Sequence, residues 1–217
     1  MKKSILIISA GPGLSRSVAE HFGKQGFTVA LVSYNQPMLD ELHAYLQQKG
    51  IESIEAVADV ANAADLQRAI LELADKVGGF DVVHYNAAVV KAKDIMEESA
   101  DSLVSEFTIN AAHALLALQT AYPGLSAKQG ALLLTGGGLG LVPNAGWGSL
   151  SIGKAGLRSL ALQLHDRLRS EGIYVGLLTI DGLIDVKSAT HNPTTLAGLF
   201  WKLYSERDAV EIHHKGS

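Results

Sequence analysis

Two serines and a lysine lie close together in the glycine-rich stretch GALLLTGGGLGLVPNAGWGSLSIGKAGLRSLALQLHDRLRS, which covers residues 130–170. Ser151 precedes Lys154 by three residues, and Ser149 flanks the apolar Leu150. Residues three or four apart on a helix lie on neighbouring faces of one turn, so Ser151 and Lys154 would approach a common space. Hydroxyls and amines transfer protons in catalysis, and we take Ser151 and Lys154 as candidate catalytic residues. A second interpretation of both serines is capping of the helix start.

A glycine-rich turn follows the first apolar run of the chain, with the sequence Ser9-Ala10-Gly11-Pro12-Gly13-Leu14-Ser15. Gly11 and Gly13 permit a tight turn and the close approach of a ligand. The free N–H groups at the start of the next helix would bind a phosphate. An ordinary turn between a strand and a helix is the alternative.

Small and polar residues also follow the next three predicted strands. Tyr34 comes after the second strand, in a loop that offers neither an acid nor a base. Asp59 and Val60 follow the third strand, where Asp59 would either cap the next helix or accept a hydrogen bond from an adenine amino group. Asn86 and Ala87 follow the fourth strand and would let a backbone approach a ligand. We expect these residues to share one edge of the sheet, because ligands bind outside the carboxyl ends of parallel strands.

Short apolar runs alternate with longer segments of helical period, and this pattern would position all of these residues. It predicts strands at 4–9, 27–33, 51–58, 80–85, 131–135, 173–180 and 209–213. It predicts helices at 13–25, 38–49, 62–77, 99–121 and 194–204, and one that carries Lys154 and ends near residue 170. The 99–121 helix is expected to stop at Pro123 and Gly124. The pattern indicates an α/β fold with a doubly wound parallel sheet of about seven strands, helices on both faces, and a single domain over 1–217.

The amino-acid composition excludes several classes of site and binding partner. With 217 residues and 47% hydrophobic content, the chain is suited to one sizeable core. The absence of cysteine excludes disulfides and thiolate metal sites, and the eight histidines show no metal spacing. With 18 basic and 22 acidic residues, the chain lacks the excess of positive charge that is typical of proteins that bind nucleic acid or an anionic membrane. The apolar run at 5–8 is too short for a leader or a membrane span. We expect a small-molecule ligand, no metal and a cytoplasmic location.

Taken together, these motifs resemble the classical short-chain dehydrogenase/reductase family over nearly the whole chain. The family's glycine motif T-G-x-x-x-G-x-G falls on residues 8–15, with Gly13 as its central glycine and serines at the outer glycine positions. Lys154 matches the lysine of Y-x-x-x-K. The other matching residues are Asp59 and Val60 after the third strand, Asn86-Ala87-Ala88 at the end of an N-N-A-G motif, and Asn110 in the long helix.

The resemblance implies a Rossmann-type fold and NAD(P) as cofactor, with the phosphate preference open, together with a small-molecule substrate. It implies that Asn110 supports a proton-relay water and that Lys154 contacts the nicotinamide ribose. It also implies a homodimer or homotetramer formed through the helices that carry Asn110 and Lys154. The implied cofactor-binding residues are Ser9, Gly11, Gly13, Leu14, Tyr34, Asp59, Val60, Asn86, Ala87 and Lys154.

Two positions depart from the family pattern. Leu150 stands at the catalytic tyrosine and Gly137 at the catalytic serine. Leucine cannot donate a proton, and glycine can bind a substrate oxygen only through its backbone. Two hypotheses follow: an oxidoreductase that uses another acid, or a dinucleotide-binding sensor or regulator without catalysis. The candidate substitute acids are Ser149, Ser151, Thr135 and Tyr85.

Overall fold

The computed structural model describes residues 2–216, so Met1 and Ser217 of the predicted domain lie outside the described residues. Seven parallel strands form one sheet in the order β3-β2-β1-β4-β5-β6-β7. The strands are β1 (Ser4–Ile8), β2 (Thr28–Ser33), β3 (Ser53–Val57), β4 (Val82–Tyr85), β5 (Ala131–Thr135), β6 (Tyr174–Asp181) and β7 (Glu211–Lys215). The helices are α1 (Leu14–Lys24), α2 (Gln36–Gln48), α3 (Ala63–Val77), α4 (Ala100–Phe107), α5 (His113–Lys128), α6 (Gly148–Leu168) and α7 (Pro193–Glu206).

Helices cover both faces of the sheet, which confirms the predicted fold class. Successive side chains of a strand point to opposite faces. Leu6 and Ile8 of β1 therefore pack with α3, α5 and α6. Ile5 and Ile7 pack with α1, α2 and α7 on the other face. All five residues of β1 are buried, which explains why the central strands read as continuous apolar runs.

The predicted helix at 99–121 is wrong in two respects. It is interrupted by a π-helical turn at Thr108–Ala112, and α5 continues through Pro123 to Lys128. The Tyr85 hydroxyl donates a hydrogen bond to the Ile109 carbonyl at 2.6 Å, which satisfies a backbone group in the π turn. Proline deprives α5 of one hydrogen bond, but the turn beyond it is held by Leu125, which is fully buried. Packing thus overrides the local stop signal.

The parallel register brings the carboxyl ends of the strands to one edge. Ile8 of β1 pairs with Val32 of β2 on one side and Tyr85 of β4 on the other. The residues that follow these strands therefore lie next to one another, as the sequence predicts. None of the helices between residues 2 and 216 is long and apolar enough to cross a bilayer.

Candidate functional site

A cavity of about 970 Å³ opens at the carboxyl ends of β1, β4, β5 and β6. One end is lined by the glycine turn after β1, and Lys154 of α6 lies in its wall. The loops that follow β4, β5 and β6 supply most of the remaining lining, including its most exposed side chains. The cavity is large enough for a cofactor or a drug-sized ligand, whose sites commonly measure roughly 300–1,000 Å³.

The glycine-lined end contains the start of α1. Gly13 is the N-cap residue of α1, and no side chain caps this helix. A Cβ added to Gly13 would meet no atom within 4 Å, so the space beside the helix start is open. The first N–H groups of a helix lack intrahelical partners and carry partial positive charge. The pyrophosphate of a dinucleotide fits this position.

Two serines lie at the positions in the turn where the resemblance predicts glycines. Ser9 adopts a left-handed backbone conformation with φ of 64°, which is uncommon for a residue other than glycine. Ser15 is buried, and its Oγ donates a hydrogen bond to the Ser9 carbonyl at 3.0 Å. The same Oγ accepts a hydrogen bond from Asn86 Nδ2 at 2.9 Å. Ser15 therefore ties the glycine turn to the end of β4.

Asn86 continues this chain of hydrogen bonds into the core. Thr135 Oγ1 donates to Asn86 Oδ1 at 2.8 Å and lies 3.0 Å from His84 Nε2. Burial lowers the pKa of His84 to about 3, so its ring is neutral. Because the Thr135 proton is already donated to Asn86, the His84 ring carries its proton on Nε2. Asn86 is thus oriented from both sides at the cavity wall.

Lys154 is a buried cation with one hydrogen-bond partner among the described residues. Its Nζ donates to the Thr135 carbonyl at 2.7 Å, and the residue is only 8% exposed. Burial lowers the pKa of the Lys154 ammonium to about 8. Among residues 2–216, no acidic side chain forms an ion pair with it. Lys154 therefore presents an amine of unusually low basicity to the cavity.

Leu150 and Gly137 both line the cavity beside Lys154. A Cβ added to Gly137 would lie 3.5 to 3.6 Å from three side-chain carbons of Lys154, which is ordinary van der Waals contact. A serine would fit at this position without displacing the lysine. The apolar side chain of Leu150 lies four residues before Lys154 on α6, where the resemblance predicts a tyrosine.

The four candidate substitute acids are engaged elsewhere, and Thr135 alone among them lines the cavity. The Ser149 hydroxyl donates to Glu106, and the Tyr85 hydroxyl donates to the Ile109 carbonyl. Ser151 Oγ accepts from the Asn144 N–H at 3.1 Å and donates to the Asn144 carbonyl at 3.3 Å. The capping interpretation of the two serines is wrong, because Trp147 is the N-cap residue of α6 and no side chain caps the helix.

Asn110 lies behind α6 and outside the cavity lining. Its Oδ1 accepts a hydrogen bond from the Val89 N–H at 2.6 Å, which fixes the loop after β4. Its Nδ2 is buried without a hydrogen-bond partner. A Cβ added to Gly153 would lie 2.5 Å from the Asn110 Cβ, so the glycine allows the π turn and α6 to touch.

Half of the predicted cofactor-binding residues line the cavity, and half do not. The first group comprises Ser9, Gly13, Leu14, Asn86 and Lys154. Gly11, Tyr34, Asp59, Val60 and Ala87 lie outside the lining, along the ends of β1 to β4. The capping role offered for Asp59 is wrong, because Asn62 caps α3 and Asp59 Oδ1 instead accepts from the Ala61 N–H at 2.9 Å.

The structure adds residues that the sequence did not single out as site residues. Asn144, Trp147 and Asp181 line the cavity, and Asp181 lies 3.4 Å from His213 Nε2 of β7. Behind α6, Glu106 accepts hydrogen bonds from Lys91, Ser102 and Ser149. Burial opposes ionisation of Glu106, but these hydrogen bonds hold its pKa below its ordinary value. No motif signals this cluster, because the loop that carries Lys91, the helix α4 and Ser149 of α6 come together only in the tertiary structure.

No cluster of side chains suited to a metal ion occurs within residues 2–216. Comparison with known proteins identifies a family instead, because residues 3–192 match the family model described as short chain dehydrogenase.

Two relatives illustrate the similarity. The 3-oxoacyl-[acyl-carrier-protein] reductase FabG of Staphylococcus aureus is 28% identical over 178 residues, which cover 81% of this chain and 72% of the relative. The cis-2,3-dihydrobiphenyl-2,3-diol dehydrogenase of Pseudomonas sp. strain KKS102 is 29% identical over 186 residues, covering 81% of this chain and 66% of the relative.

Solved structures share the fold. A metagenomic short-chain oxidoreductase in complex with NADP superposes with a TM-score of 0.87 at 18% identity, covering 99% of this chain and 97% of the other. A putative short-chain dehydrogenase from Novosphingobium aromaticivorans gives a TM-score of 0.90 at 19% identity, covering 98% of this chain and 80% of the other.

Proposed function

Because the chain belongs to the short-chain dehydrogenase family, we propose that it is an NAD(P)-dependent oxidoreductase that works without the family's tyrosine and serine. The supporting observation is one continuous cavity that runs from the uncapped start of α1 to Lys154. In this proposal the N–H groups after Gly13 bind the pyrophosphate, and Lys154 binds the ribose hydroxyls. The bound nicotinamide supplies or accepts a hydride.

Reduction of a carbonyl group requires a proton as well as a hydride, and in this proposal Lys154 donates that proton. Lys154 and Asp181 are the ionisable side chains among the residues that line the cavity. Because burial lowers the pKa of the Lys154 ammonium to about 8, it holds a proton at neutral pH and can release it readily. The candidate hydroxyls already donate to other acceptors.

Asn110 and Ser151 are assigned positioning roles in this proposal. Asn110 holds the Val89 backbone beside the cavity, and Ser151 holds the Asn144 backbone. The relatives are named as a 3-oxoacyl reductase and a diol dehydrogenase, and we propose a ketone or secondary alcohol as the reacting group.

A second candidate function is dinucleotide binding without catalysis, as in a sensor or regulator. Leu150 favours it, because this side chain lies beside Lys154 and cannot transfer a proton. Both functions require dinucleotide binding, and they differ in turnover.

Calorimetric titration with NAD, NADH, NADP and NADPH tests the shared requirement. We expect at least one dinucleotide to bind, and Gly13→Asp to weaken binding more than tenfold. Aspartate is favoured at an N-cap position, so the variant should fold, while its carboxylate repels the pyrophosphate. Gly13→Asn is the matched neutral control and should lose less affinity. Failure of all four dinucleotides to bind the unchanged protein would contradict both functions.

Restoring the missing side chains separates the two functions. The Gly137→Ser, Leu150→Tyr double variant returns a hydroxyl and a phenol to the cavity wall, and the space beside Gly137 accepts a serine. Oxidation of NADH and NADPH is followed across a panel of aldehydes, ketones and quinones. Turnover by the unchanged protein that Lys154→Met abolishes supports the oxidoreductase. Turnover by the double variant alone supports the sensor or regulator.

A further inference from the structure

Three large aliphatic side chains that face solvent line one part of the cavity. We call Val90, Val142 and Leu183 the rim, and the part of the cavity that they line the open end. Leu183 is 83% exposed, Val142 75% and Val90 69%, and all three line the cavity. They come from three different loops, which follow β6, β5 and β4. Aliphatic side chains that gather from separate loops around one concave opening mark a binding site for an apolar ligand.

The wall behind this rim is also apolar. Leu139, Trp147 and Leu150 line the same cavity, as does Lys154. At the family's tyrosine position, the leucine replaces a polar group with two methyl groups. One cavity therefore brings together the exposed aliphatic side chains, further apolar residues and the lysine.

The charges at this end disfavour an anion. Asp181 lines the cavity, and its side chain is half exposed. No lysine or arginine other than Lys154 is among the described residues that line the cavity. In the proposed function, Lys154 is assigned to the ribose hydroxyls of the dinucleotide. A carboxylate ligand at the rim would thus be repelled by Asp181, and Lys154 is the one cationic residue among the described lining residues that could attract it.

We propose that the open end of the cavity binds a neutral lipophilic ketone or secondary alcohol, with its apolar body against Val90, Val142 and Leu183. The inference rests on the proposed function in that it leaves the glycine-lined end to the dinucleotide. The rim encloses a cavity of small-molecule dimensions, which favours a small ligand over a flat protein or membrane surface.

Trp147 provides a direct readout of binding. The chain contains two tryptophans, and Trp147 lines the cavity. Trp201 lies elsewhere, with its ring centroid 5.2 Å from that of Phe22. Trp201→Phe leaves Trp147 as the sole tryptophan, so its fluorescence reports occupancy of the open end without dinucleotide or turnover.

The test titrates this variant with 2-hexanone, 2-octanone, 2-decanone and decanoate. We expect affinity to rise about three- to fourfold for each added methylene, and 2-decanone to bind more tightly than decanoate. Leu183→Ser and Val142→Ser should each weaken binding of 2-decanone at least threefold. These side chains are exposed, so the substitutions should leave the fold intact. Leu71→Ser is the matched control, since Leu71 is exposed on α3 and outside the lining, and its binding should be unchanged.

Several results would overturn the inference: equal affinity for all three ketones, tighter binding of decanoate, or no effect of either rim variant. Loss of self-association, or of binding to phosphatidylcholine vesicles, in Leu183→Ser without loss of ketone binding would assign the rim to a protein or membrane surface instead. The dinucleotide titration is separate. Ketone binding without dinucleotide binding contradicts the proposed function alone, whereas dinucleotide binding without ketone binding contradicts this inference alone.

Discussion

Lys154 illustrates a conflict between function and stability at the scale of one residue. Within residues 2–216, this buried cation has no counter-ion, and one backbone carbonyl is its hydrogen-bond partner. Burying an unpaired charge costs free energy, and the lowered pKa is the direct sign of that cost. A residue kept in this environment is better explained by a ligand than by the fold.

Replacing Lys154 should therefore stabilise the protein while weakening dinucleotide binding. The folded pKa is about 8 against an ordinary value of 10.5, so the penalty is fully present below pH 8 and is relieved between pH 8 and 10.5. This difference corresponds to a penalty on the order of 3 kcal/mol. Lys154→Met also loses the hydrogen bond to Thr135, which offsets part of this gain. We therefore expect the variant to raise the free energy of unfolding by about 2 kcal/mol at pH 7.

Urea denaturation at pH 7 and pH 10.5 measures this effect, and the gain should shrink at the higher pH. Lys202→Met is the control, because Lys202 is exposed on α7 and should change stability by at most about 0.5 kcal/mol. A Lys154→Met variant less stable than the unchanged protein at pH 7 would contradict the account.

At the scale of elements, close contacts between backbones determine where helices lie. In α5, Gly124 approaches the backbone at the turn before β4. A Cβ on Gly124 would lie 2.9 Å from both the Gly79 Cα and the Phe80 N. This contact follows Pro123 and explains why α5 continues past the residue that was expected to end it.

Two glycine-to-alanine substitutions in helices should therefore have opposite effects. Gly124→Ala should lower the free energy of unfolding by about 1–2 kcal/mol, because its methyl group meets backbone atoms that cannot move aside. Gly198→Ala on α7 meets no atom within 4 Å and should raise stability by about 0.5–1 kcal/mol. Thermal and denaturant unfolding measure the change in stability of each variant. Equal changes would show that the close backbone contact of Gly124 does not exclude a methyl group.

At the scale of the whole molecule, α5 and α6 leave an apolar groove on the surface. The groove has a volume of about 350 Å³, and Leu115, Leu118 and Leu164 are among its lining residues. These helices follow Asn110 and contain Lys154, respectively, and the family resemblance implies self-association through them. An assembly through this face would bury the groove and fix both helices behind the site.

We predict that the protein forms a homodimer or homotetramer in solution and that Leu115→Glu lowers its mass towards that of a monomer. A charge in the centre of an apolar interface would be desolvated without a partner. Light scattering measures the mass, and Leu71→Glu on the exposed face of α3 is the control that should leave it unchanged. A strictly monomeric unchanged protein would contradict the prediction.

The departure from the family pattern at Gly137 and Leu150 rests on the resemblance and stays a prediction. The sequence by itself determined the parallel sheet and the edge of the sheet at which the cavity opens. These features follow from local periodicity and from the spacing of residues along the chain. The course of α5 past Pro123 and the engagement of the candidate hydroxyls with other acceptors depended on tertiary contacts.

The apolar rim around the cavity was likewise decided by the tertiary structure. Val90, Val142 and Leu183 are far apart in sequence and meet only because parallel strands deliver their loops to the same edge. The partner of a hydroxyl in a hydrogen bond and the burial of a side chain depend on residues that are neighbours in space. The local sequence does not specify those neighbours.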